Sequence, residues 1–323
     1  MAAQDQNPIG SGFHAKSTAR EVVGGIDLSG KNVIVTGGYS GIGLETVRAL
    51  AGTGARVTVP ARRPDVAATA LADVAGEIEI ADMDLGDIAS VRRFADHYLD
   101  SKRPLDILIN NAGIMATPFG RVGKGWETQF GTNHLGHMAL AMKLAPALQE
   151  AQGARIVALS SIGHVRSDVI WDDPNYEKRP YDKWEAYGQA KSANALFALG
   201  VDLLGREVGV RAFSVHPGGI FTPLQRHLDD EEMAALGWKN PDGTIPDAVK
   251  AAFKTPEQGA STTVWAATSP KLAGKGGVYC ENCDIARMAG PDSQRFEHAR
   301  EWIADDARAR RLWEMSEKML ADA

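Results

Sequence analysis

Tyr187 and Lys191 are separated by three residues, in the stretch Tyr187-Gly188-Gln189-Ala190-Lys191. At this spacing two side chains lie on the same face of a helix, which brings a phenol close to an ammonium group. A free tyrosine has a pKa of about 10, and a lysine cation beside it favours the phenolate and lowers that pKa. The pair can therefore serve as an acid–base unit, although a half-buried tyrosine beside a surface lysine gives the same pattern by chance.

A glycine-rich turn lies upstream and reads Thr36-Gly37-Gly38-Tyr39-Ser40-Gly41-Ile42-Gly43. It follows an apolar run and precedes a helical pattern. A turn in this context lets backbone N–H groups approach a pyrophosphate at a helix N-terminus. The spacing is Gly-x-x-x-Gly-x-Gly, which differs from the Gly-x-Gly-x-x-Gly of many dinucleotide-binding folds, and a plain tight turn is the alternative.

Short apolar runs alternate with helical patterns from Lys31 onwards. Most runs are continuous, which is typical of parallel strands buried on both faces. The alternation predicts a single α/β domain, with a doubly wound, Rossmann-type parallel sheet of about seven strands and helices on both faces. The predicted strands are Asn32–Thr36, Arg56–Pro60, Glu77–Ala81, Leu105–Asn110, Arg155–Ser160, Val210–Val215 and Gly277–Tyr279. The predicted helices are Leu44–Gly52, Ile88–Ser101, Thr128–Glu150, Tyr187–Val208 and Glu257–Thr268.

The chain divides into a polar N-terminal extension (1–26), the α/β domain (27–290) and a tail (291–323). The tail is rich in Ala, Arg and Glu and is predicted to form a helix that packs on the body or on a partner subunit. Two long irregular segments, 164–186 and 217–255, follow predicted strand ends. Ligands of open α/β sheets bind beyond those ends, so both segments are candidate substrate walls or lids, with tolerated surface insertions as the alternative. The first segment contains Trp171, Tyr176, Tyr181 and Trp184.

Composition narrows the functional classes. The net charge of −6, without any Lys/Arg-rich run, argues against a nucleic-acid partner. No apolar stretch approaches the roughly 20 residues of a membrane anchor, and the N-terminus lacks a signal-peptide core. The two cysteines, Cys280 and Cys283, lack a second ligand pair, so they are interpreted as incidental thiols of a cytoplasmic protein and no metal site is predicted.

Taken in chain order, these motifs closely resemble the short-chain dehydrogenase/reductase family over roughly Asp27 to Met288. The chain is most similar to the retinol-dehydrogenase-like branch and to the dehydrogenase portion of WW-domain oxidoreductases. The resemblance rests on the following segments: Thr36–Gly43, Asp84-Leu85, Asn110-Asn111-Ala112-Gly113, Asn133-His134-Leu135-Gly136-His137, Ser161, Tyr187-x-x-x-Lys191, Pro217-Gly218 and Glu257-Gln258-Gly259-Ala260-Ser261-Thr262-Thr263.

The resemblance implies an enzyme that interconverts a carbonyl and an alcohol by hydride transfer, which needs a proton donor for the developing oxyanion. It makes Tyr187 the acid in reduction and the base in alcohol oxidation. It makes Lys191 the residue that lowers the pKa of Tyr187 and hydrogen-bonds the nicotinamide ribose. Ser161 would hold the substrate oxygen, with Ser160 as the alternative, and Asn133 would support a water-linked proton relay to Lys191.

The resemblance also implies a nicotinamide dinucleotide and its contacts. The predicted cofactor-binding residues are Gly37, Tyr39, Ser40, Gly41, Ile42, Gly43, Asp84, Leu85, Asn110, Asn111, Ala112, Gly113, Tyr187, Lys191, Pro217, Gly218 and Thr222. The second strand ends in Val59-Pro60-Ala61-Arg62-Arg63, which offers guanidinium groups for a 2′-phosphate instead of a carboxylate for the ribose. Arg62 therefore predicts NADP(H), with two solvated arginines at a helix start as the alternative.

The expected substrate is a lipophilic ketone, aldehyde or secondary alcohol. Ser161 and Tyr187 are separated by 25 residues, about twice the spacing in many family members, so the extra residues bear on the substrate. Retinol is one possibility, but this chain shows no hydrophobic N-terminal anchor like that of many animal relatives. A non-catalytic nucleotide-sensing or scaffold protein is the main alternative, and a sugar-nucleotide epimerase or dehydratase is another. Homo-oligomers through the long helices are expected from the resemblance alone.

Overall fold

The computed structural model of the protein describes residues 5–322. Residues 1–4 of the predicted N-terminal extension and residue 323 of the predicted tail lie outside the described residues. The described strands are β1 (Asn32–Val35), β2 (Arg56–Ala61), β3 (Glu77–Asp82), β4 (Ile107–Asn110), β5 (Arg121–Val122), β6 (Trp126–Glu127), β7 (Arg155–Leu159), β8 (Arg211–His216), β9 (Val278–Glu281) and β10 (Asp284–Ile285).

The described α-helices are α1 (Ala19–Val22), α2 (Gly41–Ala51), α3 (Pro64–Leu71), α4 (Ile88–Asp100), α5 (Thr128–Phe130), α6 (Gly136–Lys143), α7 (Ala145–Glu150), α8 (Lys183–Gly205), α9 (Asp230–Ala235), α10 (Asp247–Ala252), α11 (Pro256–Gly259), α12 (Ser261–Thr268) and α13 (Asp306–Ala321). A π-helical turn spans Gly131–Leu135, and short 3-10 turns span Ile162–Arg166, Arg206–Val208, Pro223–Gln225, Pro270–Leu272 and Glu301–Ala304.

One sheet organises the chain, in the order β10-β9-β8-β7-β4-β1-β2-β3. Seven of its strands run parallel, and β10 pairs antiparallel with β9. The predicted doubly wound parallel sheet is confirmed, with eight strands instead of about seven. The extra strand has only two residues, and it returns through Asn282 and Cys283, which have φ of 52° and 60°.

The order of the strands reverses between β1 and β4, and this determines where ligands bind. The chain runs outward from β1 through β2 to β3, then crosses back to β4 on the other side of β1. In open α/β sheets the crevice at such a reversal, beyond the carboxyl ends of the strands, is the ligand site.

Apolar side chains cover both faces of the sheet. On one face, residues such as Ile34 and Leu108 pack with Phe94, Leu140 and Leu196 of α4, α6 and α8. On the other, residues such as Val33, Val35 and Ile109 pack with Val47 and Trp265 of α2 and α12. Neighbouring residues of β1 thus face opposite cores, which is why its sequence is apolar throughout.

Several helix predictions differ from the structure, and Glu257–Thr268, for example, is divided into α11 and α12. The predicted helix Thr128–Glu150 is divided into α5, the π-helical turn, α6 and α7. The predicted helix Tyr187–Val208 begins four residues earlier at Lys183, because Asp182 caps it by accepting hydrogen bonds from Trp184 N at 2.8 Å and Glu185 N at 2.9 Å. Tyr187 therefore lies in the second turn of α8. The helix α3 (Pro64–Leu71) was not predicted.

Both terminal segments pack on the domain. Gln6 Nε2 donates hydrogen bonds to the carbonyls of Tyr279 and Ala286, each at 2.7 Å, which attaches the N-terminal segment to the β9–β10 edge. The predicted tail helix forms as α13 and packs along α8, where the ring of Trp313 stacks on Phe197 with 6.4 Å between centroids. The sequence left open whether the tail covers the body, and the structure shows that it does.

Candidate active site

A cleft of about 930 Å³ lies beyond the carboxyl ends of β1, β2, β3, β4, β7 and β8. Most of the residues predicted to bind a cofactor or do chemistry line it. They are Gly37, Tyr39, Ser40, Gly41, Ile42, Gly43, Arg62, Asp84, Leu85, Asn111, Ala112, Gly113, Ser161, Tyr187, Lys191, Pro217, Gly218 and Thr222. Asn110 and Asn133 are outside the lining and are completely buried beneath it.

The glycine-rich turn is held close to the end of β4. Asn111 Nδ2 donates a hydrogen bond to the carbonyl of Thr36 at 2.8 Å. A Cβ on Gly43 would lie 2.4 Å from the carbonyl oxygen of Gly37 and 2.5 Å from Asn111 Nδ2, so a side chain at Gly43 would displace backbone. The turn leads directly into α2, whose first N–H groups and dipole favour an anion.

Thr36 connects this turn to the helix that follows β4. Its Oγ1 accepts hydrogen bonds from Asn111 N and Ala112 N, both at 2.9 Å, and lies 2.9 Å from His137 Nε2. His137 Nδ1 lies 2.9 Å from the carbonyl oxygen of Asn133. Burial lowers the pKa of His137 to about 4. The ring is therefore neutral, and the contacts assign the proton to Nδ1, which donates to Asn133 while Nε2 accepts from Thr36.

Asn133 lies in the π-helical turn and is fully buried. Its Oδ1 accepts from Ile114 N and its Nδ2 donates to the Ile114 carbonyl, both at 2.9 Å. A Cβ on Gly113 would lie 3.3 Å from Asn133 Oδ1 and 3.7 Å from Lys191 Nζ. Asn133 therefore fixes the wall of the cleft through the backbone of Ile114, and Gly113 separates it from Lys191. Short π-helical turns of this kind are frequent at functional sites.

Ser161 and Tyr187 meet at Gly163. The Oγ of Ser161 accepts a hydrogen bond from Gly163 N at 3.0 Å. A Cβ on Gly163 would lie 2.7 Å from Cε1 of Tyr187 and 3.3 Å from Ser161 Oγ, so only glycine permits this approach. The hydroxyl of Ser160 donates instead to the carbonyl of Lys191 at 2.7 Å. The arrangement therefore favours Ser161 over Ser160 as the serine that faces the substrate.

Tyr187 and Lys191 lie side by side and are each only 5% exposed. Lys191 Nζ is 5.6 Å from the centroid of the Tyr187 ring and donates a hydrogen bond to the carbonyl of Leu159 at 2.8 Å. Burial raises the pKa of Tyr187 to about 12, and a hydrogen bond with Ser161 lowers it only in part. Burial also lowers the pKa of Lys191 to about 8. Burial is thus the largest cause acting on the pKa of Tyr187 in this structure, and the lowering of that pKa by Lys191 stays a prediction.

Apolar side chains from the segment 217–255 cover the Tyr187 end of the cleft. Trp184 makes edge contacts with both Tyr187 and Trp238, with 6.4 Å between ring centroids in each case. An ion pair between Lys183 and Glu232 fastens α9 to the start of α8. The apolar residues that pack here are Met115, Trp184, Tyr187, Leu224, Leu228, Met233, Leu236 and Trp238. Both irregular segments thus contribute to the lining of the cleft. Of the four aromatic residues noted in 164–186, Trp184 lines the cleft and the other three do not.

Several lining residues carry no recognisable sequence signal. They are Ile114, Met115, Gly163, Arg166, His216, Leu224, Arg226, Leu236, Trp238, Phe253 and Phe296. Arg226 lines the cleft together with Arg62 and Arg63. Burial, and then the charges of these two arginines, lower the pKa of Arg226. A Cβ on Gly41 would lie 3.3 Å from Thr222, which places this end of the 217–255 segment over the glycine-rich turn. The proximity of these arginines depends on the chain folding back, so no local pattern shows it.

The two cysteines are buried free thiols, and burial raises the pKa of each. Cys283 Sγ lies 3.2 Å from Ser261 Oγ. Residues 5–322 contain no group of three or more His, Cys, Asp or Glu side chains placed to bind a metal ion. Among the described helices, none combines the length and apolarity that crossing a bilayer requires.

Comparison with known proteins agrees with this architecture. A family model described as short chain dehydrogenase matches residues 31–233. A "Probable oxidoreductase" of Streptomyces lividans is 44% identical over 294 residues, which cover 90% of this chain and 97% of the relative. "Retinol dehydrogenase 12" of Mus musculus is 34% identical over 304 residues, which cover 91% of this chain and 88% of that relative. A crystal structure of a putative uncharacterized protein from Mycobacterium Paratuberculosis superposes with a TM-score of 0.70 at 30% identity, over 94% of this chain and 97% of that one.

Proposed function

Because the chain belongs to the short-chain dehydrogenase/reductase family, in its retinol-dehydrogenase-like branch, we propose that it is an NADP(H)-dependent oxidoreductase that reduces a carbonyl on a lipophilic small molecule. The observation that carries the proposal is the convergence of Ser161, Tyr187 and Lys191 in the same cleft as a glycine-rich turn and an arginine cluster.

The cleft fits a dinucleotide. The absence of a side chain at Gly43 lets α2 pack closely against the turn, where a Cβ would collide with Gly37. The N-terminus of α2 then presents its N–H groups and a favourable dipole to a phosphate. The remaining residues proposed to hold the cofactor are Tyr39, Ser40, Gly41, Ile42, Arg62, Asp84, Leu85, Asn111, Ala112, Gly113, Tyr187, Lys191, Pro217, Gly218 and Thr222. When bound, the nicotinamide supplies or accepts the hydride.

The proposed choice of NADP(H) over NAD(H) rests on Arg62 together with Arg63 and Arg226. The last of these is partly buried, and its pKa is lowered by burial and by the other two charges. An anion between these guanidinium groups would relieve that repulsion, and guanidinium binds phosphate through paired hydrogen bonds. No carboxylate occurs at the end of β2, where a partner for the ribose hydroxyl would lie.

In the proposed mechanism Ser161 holds the substrate oxygen and Tyr187 Oη donates a proton to it. A pKa of about 12 keeps the phenol of Tyr187 protonated at neutral pH, which suits the acid of a reduction. Lys191 is mostly charged below pH 8, and its charge stabilises the negative charge left on Tyr187 after proton transfer. Asn133 positions the backbone of Ile114 beside this group.

The decisive experiment is the substitution Tyr187→Phe, assayed through the loss of NADPH absorbance with a panel of lipophilic aldehydes and ketones. Removal of a general acid is expected to lower kcat by about 10²–10⁴-fold. Tyr98→Phe is the matched control, since Tyr98 is a buried tyrosine that donates to the Pro104 carbonyl outside the cleft. Undiminished turnover in Tyr187→Phe would exclude the mechanism.

No observation favours a non-catalytic sensor or scaffold, because each side chain that the chemistry requires is present in or directly beneath the cleft. The glycine spacing of the turn also disfavours the epimerase and dehydratase alternative, whose members favour Gly-x-x-Gly-x-x-Gly. A cytoplasmic location and a homo-oligomer stay predictions.

A further inference from the structure

Arg166 is a half-buried arginine that lines the substrate end of the cleft. It ends the 3-10 turn that begins after Ser161. Its backbone is held against α8, since a Cβ on Gly188 would lie 3.0 Å from both Arg166 Cβ and Ser167 N. Gly188 follows Tyr187 directly, so the position of Arg166 is fixed relative to the proposed catalytic tyrosine.

Two aromatic rings flank the guanidinium group. Arg166 Cζ lies 4.8 Å from the ring centroid of Trp184 and 5.4 Å from that of Phe296. Phe296 also lines the cleft and is 46% exposed, which places this group at the mouth. A second cation, Arg295, has its Cζ 5.3 Å from the same Phe296 ring. The rings stabilise the cation but accept no conventional hydrogen bonds, so they do not satisfy its N–H donors.

Within residues 5–322, the guanidinium group of Arg166 forms no hydrogen bond or ion pair. Comparable arginines elsewhere in the chain do: Arg103 binds Glu79 through two 2.8 Å hydrogen bonds, and Arg211 binds Asp202. The acidic residue that acts on Arg166 is Asp182, and its Oδ1 is occupied in capping α8.

The charge of Arg166 is therefore incompletely compensated. Burial and then repulsion from Arg295 lower its pKa, and the attraction of Asp182 opposes them only in part. A desolvated cation with unused donors gains most from an anion that arrives with a ligand. A carboxylate matches the planar, bidentate geometry of a single guanidinium group.

We propose that Arg166 binds a carboxylate of the substrate, so that the enzyme acts on a lipophilic carbonyl compound that also carries an acid group. The carbonyl lies at Ser161 and Tyr187, the apolar body packs on Leu224, Leu236 and Trp238, and the acid reaches Arg166 at the mouth. The inference rests on the proposed function and refines its substrate class.

The test compares acids with their methyl esters, using ω-oxononanoate and para-formylbenzoate with NADPH. The expected ratio of kcat/KM for acid over ester is about 10–100 in the unmodified protein, the range set by a hydrogen-bonded charge pair. Arg166→Gln is expected to bring that ratio close to one, and Arg166→Lys to an intermediate value. Arg121→Gln is the control, because Arg121 also lies over a ring, that of Phe119, but outside the cleft, so its ratio is expected to stay that of the unmodified protein.

A ratio near or below one in the unmodified protein, or a ratio that Arg166→Gln leaves unchanged, would overturn the inference. Calorimetry with phenylbutanoate and phenylbutanamide separates this failure from failure of the proposed function, because it needs no turnover. Tighter binding of the acid by about tenfold, lost in Arg166→Gln, supports the inference even if no carbonyl is reduced. Efficient reduction without any preference for acids, in turnover and in binding, contradicts the inference and leaves the proposed function intact.

Discussion

The hydroxyl oxygen of Thr36 lies 2.9 Å from Nε2 of His137. Thr36 precedes the glycine-rich turn, and the opposite side of the His137 ring holds the carbonyl of Asn133 in the π-helical turn. A neutral imidazole thus joins the two parts of the candidate site by donating from one nitrogen and accepting at the other. A single buried side chain therefore links the glycine-rich turn to the wall beside Lys191.

His137→Phe keeps a ring of similar size but removes both hydrogen bonds. The Thr36 hydroxyl loses its 2.9 Å acceptor and keeps only the 3.4 Å contact with the Ile109 carbonyl, and the Asn133 carbonyl loses a donor. The loss of these buried hydrogen bonds is expected to lower the free energy of unfolding by about 1–3 kcal/mol. We expect urea unfolding to show this loss and calorimetry to show weaker NADPH binding. His97→Gln, at an exposed position of α4, serves as the control. Equal stability of His137→Phe and the unmodified protein would contradict the proposed link.

Gly163→Ala tests how closely Ser161 and Tyr187 must approach. The new methyl group would lie 2.7 Å from Cε1 of Tyr187, so the tyrosine ring or the turn must move. We expect kcat to fall by about 10²-fold, because small displacements of catalytic groups cost that much. Gly290→Ala is a suitable control, since nothing lies within 4 Å of the added methyl group. Normal turnover by Gly163→Ala would show that this geometry is dispensable.

Arg226→Ala removes the arginine that the sequence did not indicate. If the three arginines share a 2′-phosphate, the ratio of Kd for NADH over NADPH should fall by about 10-fold, the cost of one hydrogen bond to a charged group. Arg62→Ala should give a similar change. Calorimetry at two ionic strengths checks both, since exposed charge pairs weaken with salt. A ratio that neither substitution alters would argue that the arginines are solvated.

The pH dependence of reduction should report Lys191. Burial lowers its pKa to about 8, so the ammonium charge is present below that pH and is lost as the pH rises through it. Tyr187, with a pKa of about 12, stays protonated over the same range. We therefore expect kcat/KM for reduction to decline above about pH 8, and Lys191→Met to show low activity without that decline. If kcat/KM for reduction stays constant up to the pH at which a free lysine loses its proton, the decline cannot be assigned to Lys191.

Three buried histidines and the partly buried His216 should make the fold sensitive to acid. Burial lowers the pKa of His134 and His216 to about 3, and of His137 and His164 to about 4. Below a pH of about 6.5 the unfolded chain takes up protons that the folded chain refuses, so stability is present above that pH and is lost as the pH falls. Each histidine lowers the free energy of unfolding by up to about 1.4 kcal/mol for each pH unit in this range. Between pH 7 and pH 5, denaturant unfolding should show that the free energy of unfolding falls less in His134→Gln than in the control His97→Gln.

The sequence was sufficient for features that depend on local patterns. Continuous apolar runs predicted the parallel sheet, because strands buried on both faces need them. The context of Thr36–Gly43 between a strand and a helix predicted a phosphate-binding turn, and the family resemblance assigned Ser161, Tyr187 and Lys191 to the same site. All of them line one cleft.

Features that depend on burial and on distant contacts could not be read in this way. The π-helical turn at Gly131–Leu135 carries the same apolar periodicity as the α-helix around it, so one continuous helix was predicted. The net direction of the pKa of Tyr187 depends on how deeply the ring is buried, which the spacing to Lys191 does not reveal. The proximity of Arg226 to Arg62 depends on how the segment 217–255 folds over the turn.

The C-terminal helix has a consequence for assembly. The ring of Trp313 stacks on Phe197 of α8, and Ser316 hydrogen-bonds His134 nearby, so α13 covers this part of the long helix α8 within the same chain. Two copies that pair through this face must first displace their own tails. The chain's own helix α13 would therefore compete with a second copy for this face of α8. Truncation of the chain before Asp306 should remove that competition and favour the dimer.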